Sequence, residues 1–167
     1  MKPRLVVIAV GSNLGDSRKI ILDAMERLEV FAEGRMLRSS LWQTLPVDCP
    51  PGSPAFLNAV VVFEPKPGET PETLLHQLKS LEREFGRRPK TIHNEPRPLD
   101  LDLIAFGNET RSTTELTLPH PRAHERRFVL EPLNEIAPDY ILPGQSKTVT
   151  ELLSQLPSDP SVSRQTS

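Results

Sequence analysis

Apolar and polar positions along the chain alternate between two periods, and the changes of period predict its elements. Residues 5–10 form an unbroken apolar run that stops at Gly11-Ser12-Asn13, as a buried strand does. Ile20, Ile21, Ala24, Met25, Leu28 and Phe31 then recur at helical spacing, with Ser17 placed to cap that helix and Gly34 to end it. Residues 36–42 predict a second strand and the β-rich run 56–63, bounded by prolines, a third. Thr70-Pro71 offers a cap and a first-turn proline to a second helix, whose stripe of Leu74, Leu75, Leu78, Leu81 and Phe85 stops before Gly86. A fourth strand is predicted over 99–106, a short edge strand over 116–118, and short helices over 127–134 and 149–156.

The order β-α-β-β-α-β over the first 106 residues is the ferredoxin-like arrangement, an α+β fold with an antiparallel four-stranded sheet and both helices on one face. One domain is expected across residues 1–156, with the Ser/Pro-rich stretch 157–167 expected to be disordered.

A chain of 167 residues is long enough for one full core. The net charge of -2 gives no global attraction to nucleic acid or to an anionic membrane. The six-residue apolar run near the start is too short for a membrane span or an export signal. The single cysteine, Cys49, cannot close an internal disulfide, which fits a cytoplasmic location; in its Pro-rich surroundings it reads as an ordinary thiol. The 18 prolines avoid the stretch between Arg4 and Leu45 and cluster at 46–54, 65–71, 89–98 and 119–121. Long loops are expected there, where function usually resides.

The chemistry centres on Arg97-Pro98-Leu99-Asp100-Leu101-Asp102-Leu103-Ile104. In a strand, Asp100 and Asp102 share one face and the leucines the other, with the two aspartate Cα atoms roughly 6.5–7 Å apart. Hard oxygen donors so placed suit Mg²⁺, which takes one or two carboxylates with waters and phosphates. The plainer alternative is a strand edge guarded by charge. Basic groups gather nearby in sequence, at Gly86-Arg87-Arg88-Pro89-Lys90, Arg97, His120, Arg122 and Arg126. Acid for metal and base for phosphate is the pairing that phosphoryl transfer needs. Gly11-Ser12-Asn13-Leu14-Gly15 lacks the ending of a Walker loop and reads as a strand-to-helix turn. Phe56 and Phe128 suit either core packing or stacking on a flat ring.

Taken in order, Gly11-Ser12-Asn13-Leu14-Gly15, Phe56-Leu57-Asn58-Ala59, Glu82 with Gly86-Arg87, the aspartate strand, Pro119-His120-Pro121-Arg122, Arg126-Arg127-Phe128-Val129-Leu130 and Pro132-Leu133-Asn134-Glu135-Ile136-Ala137-Pro138 resemble the 6-hydroxymethyl-7,8-dihydropterin pyrophosphokinase family. The resemblance implies an α/β/α sandwich on a ferredoxin-like core. It also implies transfer of pyrophosphate from ATP to the pterin hydroxymethyl oxygen, with release of AMP, in folate biosynthesis. It places two Mg²⁺ on Asp100 and Asp102, and makes Arg87 and Arg97 catalytic partners of those aspartates. Glu82, Arg87, Arg97, Leu103, His120 and Arg126 fall to the ATP side; Thr44, Val47, Phe56, Asn58 and Phe128 fall to the pterin. Partners are then the two small molecules, with neither nucleic acid nor membrane, and the chain is expected to be a monomer.

Two departures stand out. Arg87-Arg88-Pro89 replaces the family's Arg-x-Arg, and Asn94-Glu95 stands where Trp-Gly is common. Both are expected to weaken closure over ATP, which keeps open a homologue that binds pterin or nucleotide with impaired catalysis. An RNA-binding ferredoxin-like module using Arg83, Arg87, Arg88 and Lys90 is the third alternative.

Overall fold

Only Ala9 is less than buried in the first strand, β1 (Val6–Ser12), because this strand lies inside the sheet with helices against both of its faces. The computed structural model describes residues 4–45, 55–86 and 98–165. After β1 come α1 (Ser17–Leu28), β2 (Ala32–Arg38), β3 (Trp42–Thr44), β4 (Phe56–Pro65), α2 (Pro71–Glu84) and β5 (Asp100–Phe106). The remaining elements are β6 (Arg111–Ser112), β7 (Thr117–Leu118), α3 (Arg127–Ile136), α4 (Val149–Gln155) and β8 (Val162–Arg164).

The main sheet runs β5-β1-β4-β3-β8, with β2 also paired to β4, and every pairing is antiparallel. With β2 and β3 taken as one interrupted strand, this is the ferredoxin-like order that the sequence predicts. Alternation along the strands builds two cores. Val6, Ile8 and Val10 of β1 with Ala59, Val61 and Phe63 of β4 pack beneath Ile21, Met25 and Leu28 of α1 and Leu74, Leu78 and Leu81 of α2. Val7, Val60, Val62 and Ile104 take the other face, under Val129, Leu130 and Leu133 of α3 and Val149 and Leu152 of α4. The pairing of β1 with β5 shifts between Val7 and Ile8, so Ile104 is an extra residue on β5. That bulge sends Ile104 and Ala105 to the α3/α4 side together and returns Phe106 to the other core.

Several boundaries differ from those expected. Asp16, not Ser17, caps α1, its carboxylate accepting the Lys19 N–H at 3.3 Å. Gly34 does not end that helix, which stops at Leu28 and passes through a 3₁₀ turn; Gly34 sits in β2 at φ +80°, a backbone shape that glycine adopts without strain. The predicted strand 36–42 is broken at Ser39-Ser40-Leu41, where the register on β4 changes by one residue. Ser39 holds the break to β4, its N–H donating to the Val60 carbonyl and its Oγ accepting the Val60 N–H. Thr70 caps α2 with Pro71 in the first turn, as predicted, and Thr73 makes the cap a reciprocal pair, which the sequence pattern does not predict.

The tail is a correction. Part of the stretch expected to be disordered forms β8, which pairs with β3 and is flanked by bonds from Leu45 N to Ser161 O and from Gln165 N to Leu41 O. Main-chain pairing covers the open side of β3, so the segment is ordered without an apolar face of its own. The predicted strand 116–118 is also not on the main sheet: β7 pairs with β6 in a separate hairpin.

Candidate active site

Leu99, just before β5, and Leu101 and Leu103 on it are buried while Asp100 and Asp102 are half-buried, so the alternation read from the sequence holds. Residues opposite each other in an antiparallel ladder project to the same side. Gly11 pairs with Asp100 on one flank and with Asn58 on the other, and Asn58 pairs with Trp42. Asp100, Gly11, Asn58 and Trp42 therefore make one row across four strands, with Asp102 and Ala9 in the next row. The row lies on the α3/α4 side, the side of Ala9.

Glycine and alanine between the polar groups leave a low floor. A Cβ on Gly11 would stand 3.2 Å from Asn58 Oδ1. Two strand spacings separate Asp100 from Asn58, about 10 Å along the backbone. The Asn58 amide is buried at 9% exposure and its Nδ2 donates to Thr44 Oγ1 at 2.9 Å. Thr44 in turn pairs with Phe56. Thus the sheet brings Thr44, Phe56, Asn58, Asp100 and Asp102 to one end of one face.

The segment after β7 supplies the basic groups. His120 N–H donates to the Ile104 carbonyl at 2.9 Å, which docks the loop beside β5. Its Nδ1 accepts the Arg122 N–H at 3.2 Å, which assigns the proton to Nε2. Burial, then the nearby charges of Arg126 and Arg122, push the His120 pKa below its usual value, with Asp100 opposing. Hence this imidazole is neutral at pH 7 and can donate from Nε2. Arg126 precedes α3 and its guanidinium lies 5.4 Å from the centre of the Phe128 ring. Arg127 turns away: it donates to the Leu156 and Pro157 carbonyls and pairs with Glu131, bracing the end of α4.

Glu82 is in the last turn of α2 at 4% exposure, and its Oε2 accepts the Leu101 N–H at 2.8 Å. It therefore grips the peptide between the two aspartates. The Leu103 side chain is buried in the core under α1 and α2, so what this residue can offer a nucleotide beside Asp102 is its backbone. Val47, Arg87 and Arg97 lie outside the described residues, as do Cys49, Pro89 and Asn94-Glu95.

Among the described residues no group of three or more His, Cys, Asp or Glu could hold a metal. Two half-buried carboxylates above a floor of Gly11 and Ala9 fit a hard cation that completes its shell with water and phosphate, and do not fit a zinc site built from nitrogen and sulfur.

A family model described as 7,8-dihydro-6-hydroxymethylpterin-pyrophosphokinase (HPPK) matches residues 7–138. The chain belongs to this family. A pyrophosphokinase of that type from Synechocystis is 36% identical over 153 residues, covering 90% of this chain and 75% of its own. That of Haemophilus influenzae is also 36% identical, covering 89% and 90%. Against the Pneumocystis carinii protein "Folic acid synthesis protein fol1" the identity is 39% over 83% of this chain, which spans only 18% of that longer protein. Among solved structures, Plasmodium falciparum HPPK-DHPS with pteroate superposes with a TM-score of 0.69 at 16% identity, over 92% of this chain and 42% of that one. The likeness is one of fold, an HPPK-type mixed α/β domain.

Trp42 and Glu135 are the site neighbours that the sequence does not single out. Trp42 enters the row through long-range strand pairing, which no local pattern announces. Glu135 lies inside one of the family stretches but carries no recognisable chemistry there.

Proposed function

We propose that this HPPK-family chain transfers pyrophosphate from ATP to the hydroxymethyl oxygen of 6-hydroxymethyl-7,8-dihydropterin, releasing AMP, as a Mg²⁺-dependent step of folate biosynthesis. The observation that carries it is the row Asp100–Gly11–Asn58, a cation-binding end and a ring-recognising end joined by a floor with no side chain.

The Asn58 amide, its rotation set by Thr44, bonds the polar edge of the pterin, and Phe56 and Phe128 flank the ring. Over Gly11 the ring lies flat, which directs its hydroxymethyl arm toward β5. His120, through Nε2–H, and Arg126 hold phosphate oxygens and offset their charge. Arg87 and Arg97 join them on the family resemblance. Asp100 and Asp102 would hold two Mg²⁺, which would supply neutralisation of the triphosphate and a lower pKa for the acceptor hydroxyl. Holding the acceptor arm and nucleotide in register adds to this, since it makes a bimolecular displacement effectively unimolecular.

Asn58 and the Asp pair favour a small flat acceptor over RNA. α3 and α4 also cover the sheet face that an RNA-binding ferredoxin-like module would leave open. The chain acts on its two small molecules as a cytoplasmic monomer; among the described residues no helix is long and apolar enough to cross a membrane. Incubation with ATP, Mg²⁺ and the hydroxymethyl pterin tests the proposal. Stoichiometric AMP and pterin diphosphate are expected, and binding of both ligands without AMP would establish the inactive homologue instead.

A further inference from the structure

We infer that Glu135 is a positioning residue for the pterin: from α3 it clamps the strand that orients Asn58. Its carboxylate gathers three donors from the other side of the site. Oε1 accepts Trp42 Nε1–H at 2.6 Å, Oε2 accepts Ser40 Oγ–H at 2.8 Å, and the Ser40 N–H points at both oxygens from 3.2 and 3.3 Å. Ser40 is in the break between β2 and β3, where the register on β4 changes. A chain that changes register needs something to fix where the next strand resumes, and the carboxylate does so at the first residue of β3.

The rest of β3 bears on recognition. Trp42 pairs with Asn58, and Thr44, two residues on and on the same face, accepts from the Asn58 amide. Displacement of β3 therefore moves the hydroxyl that sets the rotation of Asn58. The other end of the same helix carries Phe128 and, at its cap, Arg126, seven and nine residues from Glu135 and so about 10.5 and 13.5 Å along the axis. One helix thus ties the phosphate side of the site to the strand at its pterin side. This inference rests on Asn58 and Thr44 being the pterin edge.

The chain contains one tryptophan, so Trp42 reports on its own clamp. In Glu135→Ala, the dissociation constant for 6-hydroxymethyl pterin by calorimetry should rise about tenfold, the size of one charge-assisted hydrogen bond, while that for a nonhydrolysable ATP analogue with Mg²⁺ changes less than twofold. Glu135→Gln keeps one carbonyl acceptor and should recover part of the loss. Trp42→Phe, which keeps the ring and removes the donor, should weaken pterin binding in the same way, and its effect should be non-additive with Glu135→Gln. Unchanged pterin affinity in both Glu135→Gln and Trp42→Phe, equal losses for pterin and nucleotide, or strict additivity would overturn the clamp. Failure of the unaltered chain to take up pterin would count instead against the proposed substrate. The clamp is then judged by Trp42 emission, which shifts in Glu135→Gln if the carboxylate holds the indole and stays in place if it does not.

Discussion

Glu82 accepts the backbone N–H of Leu101 at 2.8 Å, and so a buried carboxylate on α2 anchors the peptide that separates Asp100 from Asp102. The family resemblance assigns Glu82 to the ATP; the contact in the structure gives it a reason to be there even without a ligand. A buried charge-assisted hydrogen bond contributes about 1.5–3 kcal/mol. Glu82→Ala should therefore lower the Tm by roughly 4–10 °C and, by loosening the aspartates, lower kcat about tenfold. Glu82→Gln retains an acceptor oxygen and should lose less of both. Calorimetric melting beside steady-state kinetics checks the pair.

Gly11 tests the floor. It is not in the left-handed region, so alanine is allowed there by the backbone, and the new methyl meets Asn58 Oδ1 at 3.2 Å. On the proposed pterin role of Asn58, Gly11→Ala should raise the KM for the pterin about tenfold and leave the KM for ATP within twofold, because the obstruction falls between the Asn58 amide and the aspartates. A rise for ATP alone would mean that the row is used differently.

His120 tests the electrostatics. Its folded-state pKa lies below the unfolded value of about 6.5, so the unfolded chain binds more protons in that range and stability rises with pH. This contribution is complete above pH 6.5 and is lost as the pH falls through the lower folded value. His120→Asn should flatten the acid limb of a plot of unfolding free energy against pH, as read by urea titration. It should also weaken binding of the ATP analogue severalfold by removing the Nε2–H donor.

Elements set by local chemistry could be read directly from the residues. The Thr70-Pro71 start of α2, the apolar run of β1 and the two-residue period through Asp100 and Asp102 each carry their own signal, and each is observed where expected. Features that depend on partners distant in sequence were hidden. The break at Ser39-Ser40-Leu41 and the bulge at Ile104 are consequences of register against β4 and β1. The pairing of Val162–Arg164 with β3 is made by main-chain groups that every residue possesses. Gly11 and Glu135 gained their meaning only when β1, β3 and β4 were aligned.

Asp102→Ala gives the strongest expected loss. Charge stabilisation by a bound cation is worth several kcal/mol, so kcat should fall on the order of a thousandfold or more. Asp102 faces Ala9 and takes no place in the Thr44–Asn58 pair, so affinity for the pterin alone should stay within threefold. Chelation of divalent ions should abolish turnover in the unaltered chain.

AMP release from ATP and 6-hydroxymethyl-7,8-dihydropterin, followed chromatographically for the unaltered chain and for Asp102→Ala at saturating Mg²⁺, addresses the central claim most directly. Steady AMP formation by the former and at least a thousandfold less by the latter is the predicted result. Turnover by Asp102→Ala within tenfold of the unaltered chain would contradict it.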